Sequence, residues 1–455
     1  MTADLSAPVP STSDGERGSL RRALGVPSLV LFGLVYMVPL TVFTTYGIVT
    51  QLTGGRLSVT YLVTLAAMIF TARSYARMAA EYPLAGSAYT YTQKTFGAPV
   101  GFLAGWSLLL DYLFLPMLNY LVIGIYMTAA IPAVPPWVWI LISIVLVTVL
   151  NMIGIVSVAR ANVLVIGLQA VFIVVFVVMS VAAVSNSGTV NLMTPLTGDG
   201  TVTGAGPVLA GAAILCLSFL GFDAISTLSE EAKDPIRSVP RAIMISTVVS
   251  GFIFFALSYV SQLVFPSNKF ADVDSGSLDV MTAAGGQFLN SFFTATYVVA
   301  AIGCALTSQA SVARILFAMG RDGVLSRRVL GHISGRFSTP TFAILVVSVV
   351  SLIAIWIDLA TLASIISFGA LTAFSAVNLS VVKHYYIDER QRSGRYLFTN
   401  LALPLIGLAL TAWLWTSLSR LTMLVGLAWL AIGFVWLVIE TRGFRRPTPV
   451  LDLQE

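Results

Sequence analysis

Two aspartates inside long apolar stretches are the residues of this sequence best suited to chemistry. Asp111 lies in the run LLLDYLFL and Asp223 in the run FLGFDAIS. No Lys, Arg or His lies within either apolar stretch. Because a buried carboxylate is costly unless it is paired or protonated, we expect each to meet a cationic ligand or a proton from outside the chain.

The role of each acid stays open at this level. Asp223 either contacts an amine directly or takes up a proton that controls gating. Asp111 either contacts the substrate or is neutral and hydrogen-bonded to a neighbouring helix. Glu230 and Glu231 stand about 10 Å beyond Asp223 along a helix. They either join a salt-bridge network with the basic residues that follow, Lys233 or Arg237, or belong to the substrate site, and we expect the network.

Aromatic residues accompany both acids. Tyr112 offers a ring face to an ammonium group and a hydroxyl for a hydrogen bond. Because neighbours on a helix point about 100° apart, Asp111 and Tyr112 cannot both face one cavity squarely. Four further rings either line or gate an apolar slot for a methylene chain or belong to the core: Tyr36, Phe43, Phe219 and Phe222.

The chain offers few residues for metal or cofactor chemistry, and we predict neither. His332 and His384 fall at helix ends with no ligand-type neighbours evident from the sequence. Cys216 and Cys304 fall in apolar helix interiors, where small core residues are common.

The elements that position these residues must be membrane helices. Hydrophobic residues make up 57% of the 455 residues and charged residues 10%, against about 25% charged in soluble domains. Apolar runs of about 20 residues match helices that cross a ~30 Å hydrocarbon core. We predict about twelve spans: 28–52, 58–78, 98–130, 136–157, 161–184, 207–230, 240–265, 289–320, 339–357, 359–385, 398–418 and 422–441.

The basic residues predict the orientation of these spans. With a cytoplasmic N-terminus, 22 of the 25 Lys and Arg residues fall inside, and Arg56, Lys269 and Arg420 fall outside. This is the bias of an inner-membrane protein with both termini in the cytoplasm. The formal net charge of +5 is therefore a topology signal, and we predict no nucleic-acid partner. Two long loops, 185–206 and 266–288, are expected on the outer face.

Two spans carry interruptions at equivalent positions of two five-helix halves. Pro39 breaks the first span, with Thr41 close by, and Gly221, preceded by Ser218, weakens the sixth. Paired interruptions in an inverted repeat indicate a midplane binding site in secondary transporters. Either feature taken alone is also consistent with a packing kink.

Several motifs resemble the amino acid, polyamine and organocation permeases. EYPLAGSAYTY at 81–91 resembles the signature after their second helix, FLGFD at 219–223 and EEAKDP at 230–235 their sixth helix and the following loop, and MGRDG at 319–323 the end of their eighth. Within that superfamily, PLTVF at 39–43 and LDYLFLPM at 110–117 are similar to bacterial putrescine importers. The resemblance implies a broken-helix 5+5 fold with two extra C-terminal helices.

The implied organisation has four parts: a disordered cytoplasmic tail at 1–25, a transport core at 26–385 with repeats 26–184 and 207–385, two helices at 386–441, and a cytoplasmic tail at 442–455. By the superfamily's pattern, Tyr112 is a wall residue. Many of these permeases carry Gly-Ser-Gly or Gly-Thr-Gly, where free N–H groups meet a carboxylate, in place of Pro39-Leu40-Thr41. The departure favours a substrate without a carboxylate, such as a diamine.

Ion coupling is left open by the sequence. Ser308 could supply a sodium ligand, although small hydroxyl residues are common in helix packing. At Gln169, some related cationic amino acid transporters have a lysine that could replace an ion.

We therefore predict import of a small cationic amine, above all putrescine, by alternating access driven by membrane potential, a proton gradient or both. The alternatives are an amino acid permease or exchanger of the same superfamily, and a membrane sensor with a degenerate transport site. An enzyme is not predicted, and the sequence does not indicate an oligomeric state.

Overall fold

A computed structural model describes residues 24–84, 86–153, 158–186, 191–321, 330 and 339–448. These residues are helical almost throughout, and they contain no strand beyond an isolated bridge between Leu24 and Ala232. Within them, eleven helical segments are long and apolar enough to cross a membrane, and a shorter apolar segment, Thr341–Ile355, stands at the predicted ninth span. The predicted all-α membrane fold is confirmed. Most of the predicted tail at 1–25 lies outside the described residues.

The first half of the chain forms nine helices within the described residues. They are α1 Val26–Met37, α2 Tyr46–Thr53, α3 Leu57–Glu81, α4 Ser87–Phe96, α5 Ala98–Ala130, α6 Pro136–Ile153, α7 Val158–Asn186, α8 Thr194–Thr197 and α9 Gly206–Leu215. Irregular 3₁₀ turns follow α1 at Pro39–Phe43 and α9 at Cys216–Phe219 and Ala224–Glu231. The broken first and sixth spans predicted from the sequence are thus present.

The second half forms seven further helices within the described residues. They are α10 Pro235–Val264, α11 Ser277–Arg321, α12 Thr341–Ser351, α13 Leu359–Val381, α14 Arg395–Leu397, α15 Leu403–Thr416 and α16 Arg420–Glu440. A 3₁₀ turn, Leu352–Ile355, extends α12, and π-helical turns at Val382–Asp388 and Phe398–Ala402 extend α13 and α14.

Two helices differ from the predicted spans. α4 occupies the connection between the second and third spans, and its polar sequence SAYTYTQKTF escapes a search for apolar runs. α11 begins inside the segment 266–288, which was predicted as a loop. It departs from helical geometry at Gly285 and at Gly286, where φ is 62°, and glycine tolerates that conformation without steric cost.

Side chains distinguish the two ends of the bundle. At one end, which we call the loop face, the Asn268 amide donates a hydrogen bond to Asp199 Oδ2 at 2.6 Å. This contact joins the two segments predicted to cover one face. At the other end, Arg73 and Arg77 of α3 lie beside Arg241 of α10. We call this end the arginine-rich face.

α5 runs through the centre of the bundle and packs against α6, α11, α13 and α16. A reciprocal pair of tryptophans joins α5 to α16. The Trp106 indole N–H donates to the Trp429 carbonyl at 2.9 Å, and the Trp429 indole donates to the Trp106 carbonyl at 2.8 Å. Their rings stack with centroids 5.0 Å apart. The last described helix is therefore fixed against the helix that carries Asp111.

Candidate functional site

The break in the first span begins where α1 ends at Met37. Val38 has φ 45°, a conformation that β-branched residues rarely adopt, and Pro39 follows without an N–H. The Thr41 backbone N–H donates to the Val38 carbonyl at 2.8 Å. The Thr41 hydroxyl also lies 2.6 Å from the Val38 carbonyl and 3.0 Å from that of Met37. Thr41 therefore satisfies carbonyl groups that the interrupted helix releases.

The break in the sixth span lies directly against the first. Gly221 has φ 127°, which favours glycine. A Cβ atom there would stand 2.7 Å from Tyr36 Cδ1 and 3.1 Å from Met37 Cγ. The two interruptions thus touch, and glycine permits the close approach.

Asp223 is hydrogen-bonded to the backbone of the break in the sixth span. Its side chain is 5% exposed, and its Oδ1 accepts a hydrogen bond from the Gly221 N–H at 3.2 Å. Its backbone carbonyl accepts the N–H of Ser226 at 3.0 Å. Asp223 is therefore both a structural part of the break and a buried acid.

Asp111 is buried without comparable support. It is 6% exposed, and its Oδ1 has no hydrogen-bond partner among the described residues. The neighbouring helix α13 comes very close at this level: the Ser107 hydroxyl donates to the Gly369 carbonyl at 3.0 Å. A Cβ on Gly369 would lie 3.3 Å from the Asp111 backbone nitrogen. The carboxyl oxygen thus remains available in a closely packed region.

Tyr36 and Tyr112 complete a polar cluster with the two acids. Tyr36, Asp111, Tyr112 and Asp223 lie near one another in the interior of the bundle. We call these four residues the aspartate–tyrosine cluster. The structure thus brings together four sequence-predicted site residues from three spans.

Two cavities lie beside this cluster. The larger, of about 270 Å³, is bounded by α1, α5, α7 and α11, and its lining includes Tyr36, Gln169, Ser308 and, near the end of α11, Arg314. The smaller, of about 40 Å³, is lined by Tyr36, Thr41 and the residues Thr44, Asn119, Tyr297 and Cys304, among others. Asp111, Tyr112 and Asp223 line neither cavity. Tyr36 is the residue shared between the cavities and the cluster.

An aromatic plug separates this region from the loop face. The Phe43 ring lies 5.3 Å from the rings of both Phe176 and Phe293. The Tyr126 hydroxyl donates to the Phe43 carbonyl at 2.9 Å and hydrogen-bonds to Ser277 at 2.8 Å. Since α11 runs from Ser277 at the loop face towards Arg314, the larger cavity lies on the arginine-rich side of the plug.

The other predicted rings lie in packed surroundings. Phe222 contacts the rings of Tyr75 and Phe374, with centroids 5.5 Å and 5.1 Å away. Phe219 packs on Phe254, and the Ser218 hydroxyl lies 3.1 Å from that of Tyr61. Neither ring nor Ser218 lines either cavity.

The salt-bridge network expected of Glu230 and Glu231 stays a prediction. The ion pair described in this region joins Arg237 to Asp234 at 4.0 Å, within one helical turn. The short i,i+3 spacing makes Asp234 the nearer partner.

His384 also has ligand-type neighbours that its sequence position did not reveal. Its Nε2 lies 3.5 Å from Glu81 Oε1 and 3.2 Å from Glu389 Oε1. The three groups lie within 4.8 Å of one another and could hold a metal ion. The prediction that His384 has no such neighbours is therefore wrong. His332 lies outside the described residues.

Sequence reasoning missed most of the smaller cavity's polar lining. Cys304, read as a core residue, lines both cavities, and its thiol lies 3.4 Å from the Asn119 amide. Thr44 and Tyr297 are hydrogen-bonded to each other across the cavity wall. Asn119, a polar residue eight positions after Asp111 in an apolar helix, was the available signal.

The fold and the paired breaks define a membrane transporter. Residues 29–451 match the amino acid permease family, and the chain belongs to that family. It is a multi-pass membrane transporter and not an enzyme.

Three relatives are similar to this chain over most of its length. The chain is 40% identical over 446 residues, covering 96% of this chain and 98% of the relative, to the low-affinity putrescine importer PlaP of Escherichia coli (strain K12). It is 27% identical over 458 residues, 95% of each chain, to the branched-chain amino acid permease BcaP of Bacillus subtilis (strain 168). It is 26% identical over 439 residues, 91% of this chain and 92% of the relative, to the methylthioribose transporter of the same organism.

Proposed function

We propose that this chain imports putrescine or a closely similar small diamine by alternating access. The observation that carries the proposal is the aspartate–tyrosine cluster: two buried carboxyl groups, Asp223 at the break of the sixth span and Asp111 on α5, with no Lys, Arg or His on the stretches that carry them. A dication supplies the missing partner. The likeness to a putrescine importer supports the same substrate.

The break in the first span favours an amine over an amino acid. Pro39 has no N–H, and the N–H of Thr41 is already bonded to the Val38 carbonyl. These groups are therefore unavailable to a substrate carboxylate. The rival is an amino acid permease, which the likeness to BcaP favours.

The orientation and the energy source belong to the same proposal. By the positive-inside rule, the arginine-rich face is cytoplasmic, so the larger cavity faces inward and both termini lie in the cytoplasm, in a bacterial inner membrane. The core 26–385 acts as two inverted repeats, with the helices at 386–441 packed outside it. Membrane potential drives uptake, and a proton on Asp223 is the proposed coupling ion, with Gln169 and Ser308 beside its path.

Uptake in proteoliposomes tests the proposal. Radiolabelled putrescine, spermidine, lysine, glutamate and leucine are compared under imposed potential and pH gradients, with Asp111→Asn as the matched variant. We expect putrescine to be accumulated fastest and Asp111→Asn to abolish this preference. Accumulation of a neutral amino acid that Asp111→Asn leaves intact would establish the amino acid permease instead.

A further inference from the structure

A groove on the arginine-rich face lies apart from the transport cavities. It has a volume of about 530 Å³ and runs between α3, α10 and the π-helical turn after α13. Its polar wall consists of Arg73, Arg77, Arg241 and Tyr385. None of its lining residues borders either transport cavity.

The groove concentrates the positive charge of three arginines, none of which forms an ion pair within the described part of the chain. The Nε atoms of Arg73 and Arg77 are buried and have no hydrogen-bond partner among the described residues. Arg73 also lies near the positive charges of Arg77 and Arg395. Buried donors without acceptors are costly, so this wall is suited to an anion with several oxygens.

The ring of Tyr385 fixes part of this wall. The Arg77 guanidinium lies 4.2 Å from the centroid of the Tyr385 ring, and the Tyr385 hydroxyl donates to Glu81 Oε2 at 3.0 Å. The nearby acid is thus engaged by the tyrosine, and Arg77 is held in place by stacking.

The opposite wall is apolar and continues onto the outer surface of α10. Ile236 is 57% exposed and Ile245 43% exposed, with Pro240 and Met244 between them. Farther along the same helix, Phe252 is 59% exposed. In a membrane protein, such a surface faces acyl chains, so the groove joins an arginine cluster to the lipid-facing surface.

We infer that this groove binds the headgroup of an anionic phospholipid. Arg73, Arg77 and Arg241 hold the phosphodiester, and the acyl chains follow the α10 surface past Ile245. Basic pockets between membrane helices recognise anionic lipids in this way. The inference requires only that the chain spans a membrane, and it is independent of the transported substrate.

Lipid retention by the full chain tests the inference. Purified protein is delipidated in detergent, incubated with phosphatidylglycerol or phosphatidylcholine of the same acyl chains, and examined by native mass spectrometry and thermal unfolding. Arg241→Gln removes an exposed groove residue without disturbing the core. Arg237→Gln is the matched control, since it removes an exposed charge from the same helix outside the groove lining.

We expect phosphatidylglycerol to be retained in preference to phosphatidylcholine. Each lost arginine should weaken that retention about fivefold. Arg241→Gln therefore weakens it, and the double variant Arg73→Gln with Arg77→Gln weakens it further. Arg237→Gln leaves it unchanged. If the pair fails to fold, Arg241→Gln carries the test. Equal retention of the two lipids, or equal losses with Arg237→Gln and Arg241→Gln, would overturn the site. Displacement of the lipid by millimolar inorganic phosphate would overturn its assignment to a lipid.

Discussion

At the scale of single residues, Asp111 and Asp223 differ in what surrounds their carboxyl groups. Asp223 accepts the Gly221 N–H as part of the helix break, whereas Asp111 Oδ1 has no partner among the described residues. An acid that already serves the backbone is suited to sensing a proton. An acid with a free oxygen is suited to receiving a cation.

Replacing each acid with asparagine separates these roles, because asparagine keeps the size and an acceptor oxygen but cannot ionise. Loss of a buried charge partner is typically worth several kcal/mol, so Asp111→Asn should weaken putrescine binding by a hundredfold or more at every pH. Asp223→Asn should leave binding near normal and flatten the pH dependence of transport. Calorimetry beside uptake across pH 5 to 8 measures both.

The reverse pattern, in which Asp223→Asn abolishes binding and Asp111→Asn spares it, would exchange the two roles. Normal binding by both variants would end the two-carboxylate account of cation selectivity.

The sequence identifies the two aspartates as candidate site residues, but it does not show which residues border a cavity. An aspartate in an apolar run indicates a candidate site from the sequence alone. That Tyr36 lies between the acids and both cavities depends on how α1, α5 and α11 pack. The same holds for Cys304, because the sequence does not distinguish a cysteine in a packed core from a cysteine in a cavity wall.

At the scale of elements, the contact between the two breaks depends on Gly221. Its positive φ and the 2.7 Å approach to Tyr36 both exclude a side chain. Gly221→Ala should therefore destabilise the fold by ~1–3 kcal/mol and reduce putrescine transport. Thermal unfolding and uptake measure the two effects.

Gly167→Ala is the control, since a Cβ at this α7 position meets nothing within 4 Å. We expect that variant to be as stable as the parent chain. A Gly221→Ala protein with parental stability and transport would contradict the close contact between the breaks.

Cys304 on α11 is a natural probe of the larger cavity. Cys304 is half-buried and lines both cavities, whereas Cys216 is fully buried. A small maleimide or methanethiosulfonate applied from the arginine-rich face should therefore inactivate transport by reacting with Cys304. Putrescine should slow the reaction.

Cys304→Ala should resist the reagent, and Cys216→Ala, the matched control, should remain sensitive. Equal inactivation of the Cys304→Ala protein would contradict the position of the cavity. Protection by putrescine in the Cys216→Ala background distinguishes a transport path from an unrelated void.

The elements themselves were predictable to different degrees. Long apolar runs located the spans, and Pro39 and Gly221 located the breaks. α4 could not be found in the same way because its residues are polar, although several of them are buried. The start of α11 at Ser277 could not be predicted because Gly285 and Gly286, at its bend, favour a loop in sequence reasoning.

At the scale of the whole molecule, charge is distributed in three zones. The arginine-rich side carries the groove and the larger cavity, the middle carries the two acids, and the aromatic plug lies towards the loop face. Under the proposed function, a cation is stabilised at the centre and released towards the arginine-rich face. Such a path moves net charge when the cargo is a dication.

The most direct test of the account is putrescine uptake into proteoliposomes whose potential is set by valinomycin and potassium, with no pH gradient. One charge crossing 100 mV gains about 2.3 kcal/mol, so a dication gains about 4.6 kcal/mol, or roughly two-thousandfold accumulation. The account predicts that an inside-negative potential accelerates uptake by the parent protein, and that Asp111→Asn vesicles show little uptake at either potential. Putrescine uptake that is absent, or that is independent of the potential, would contradict it.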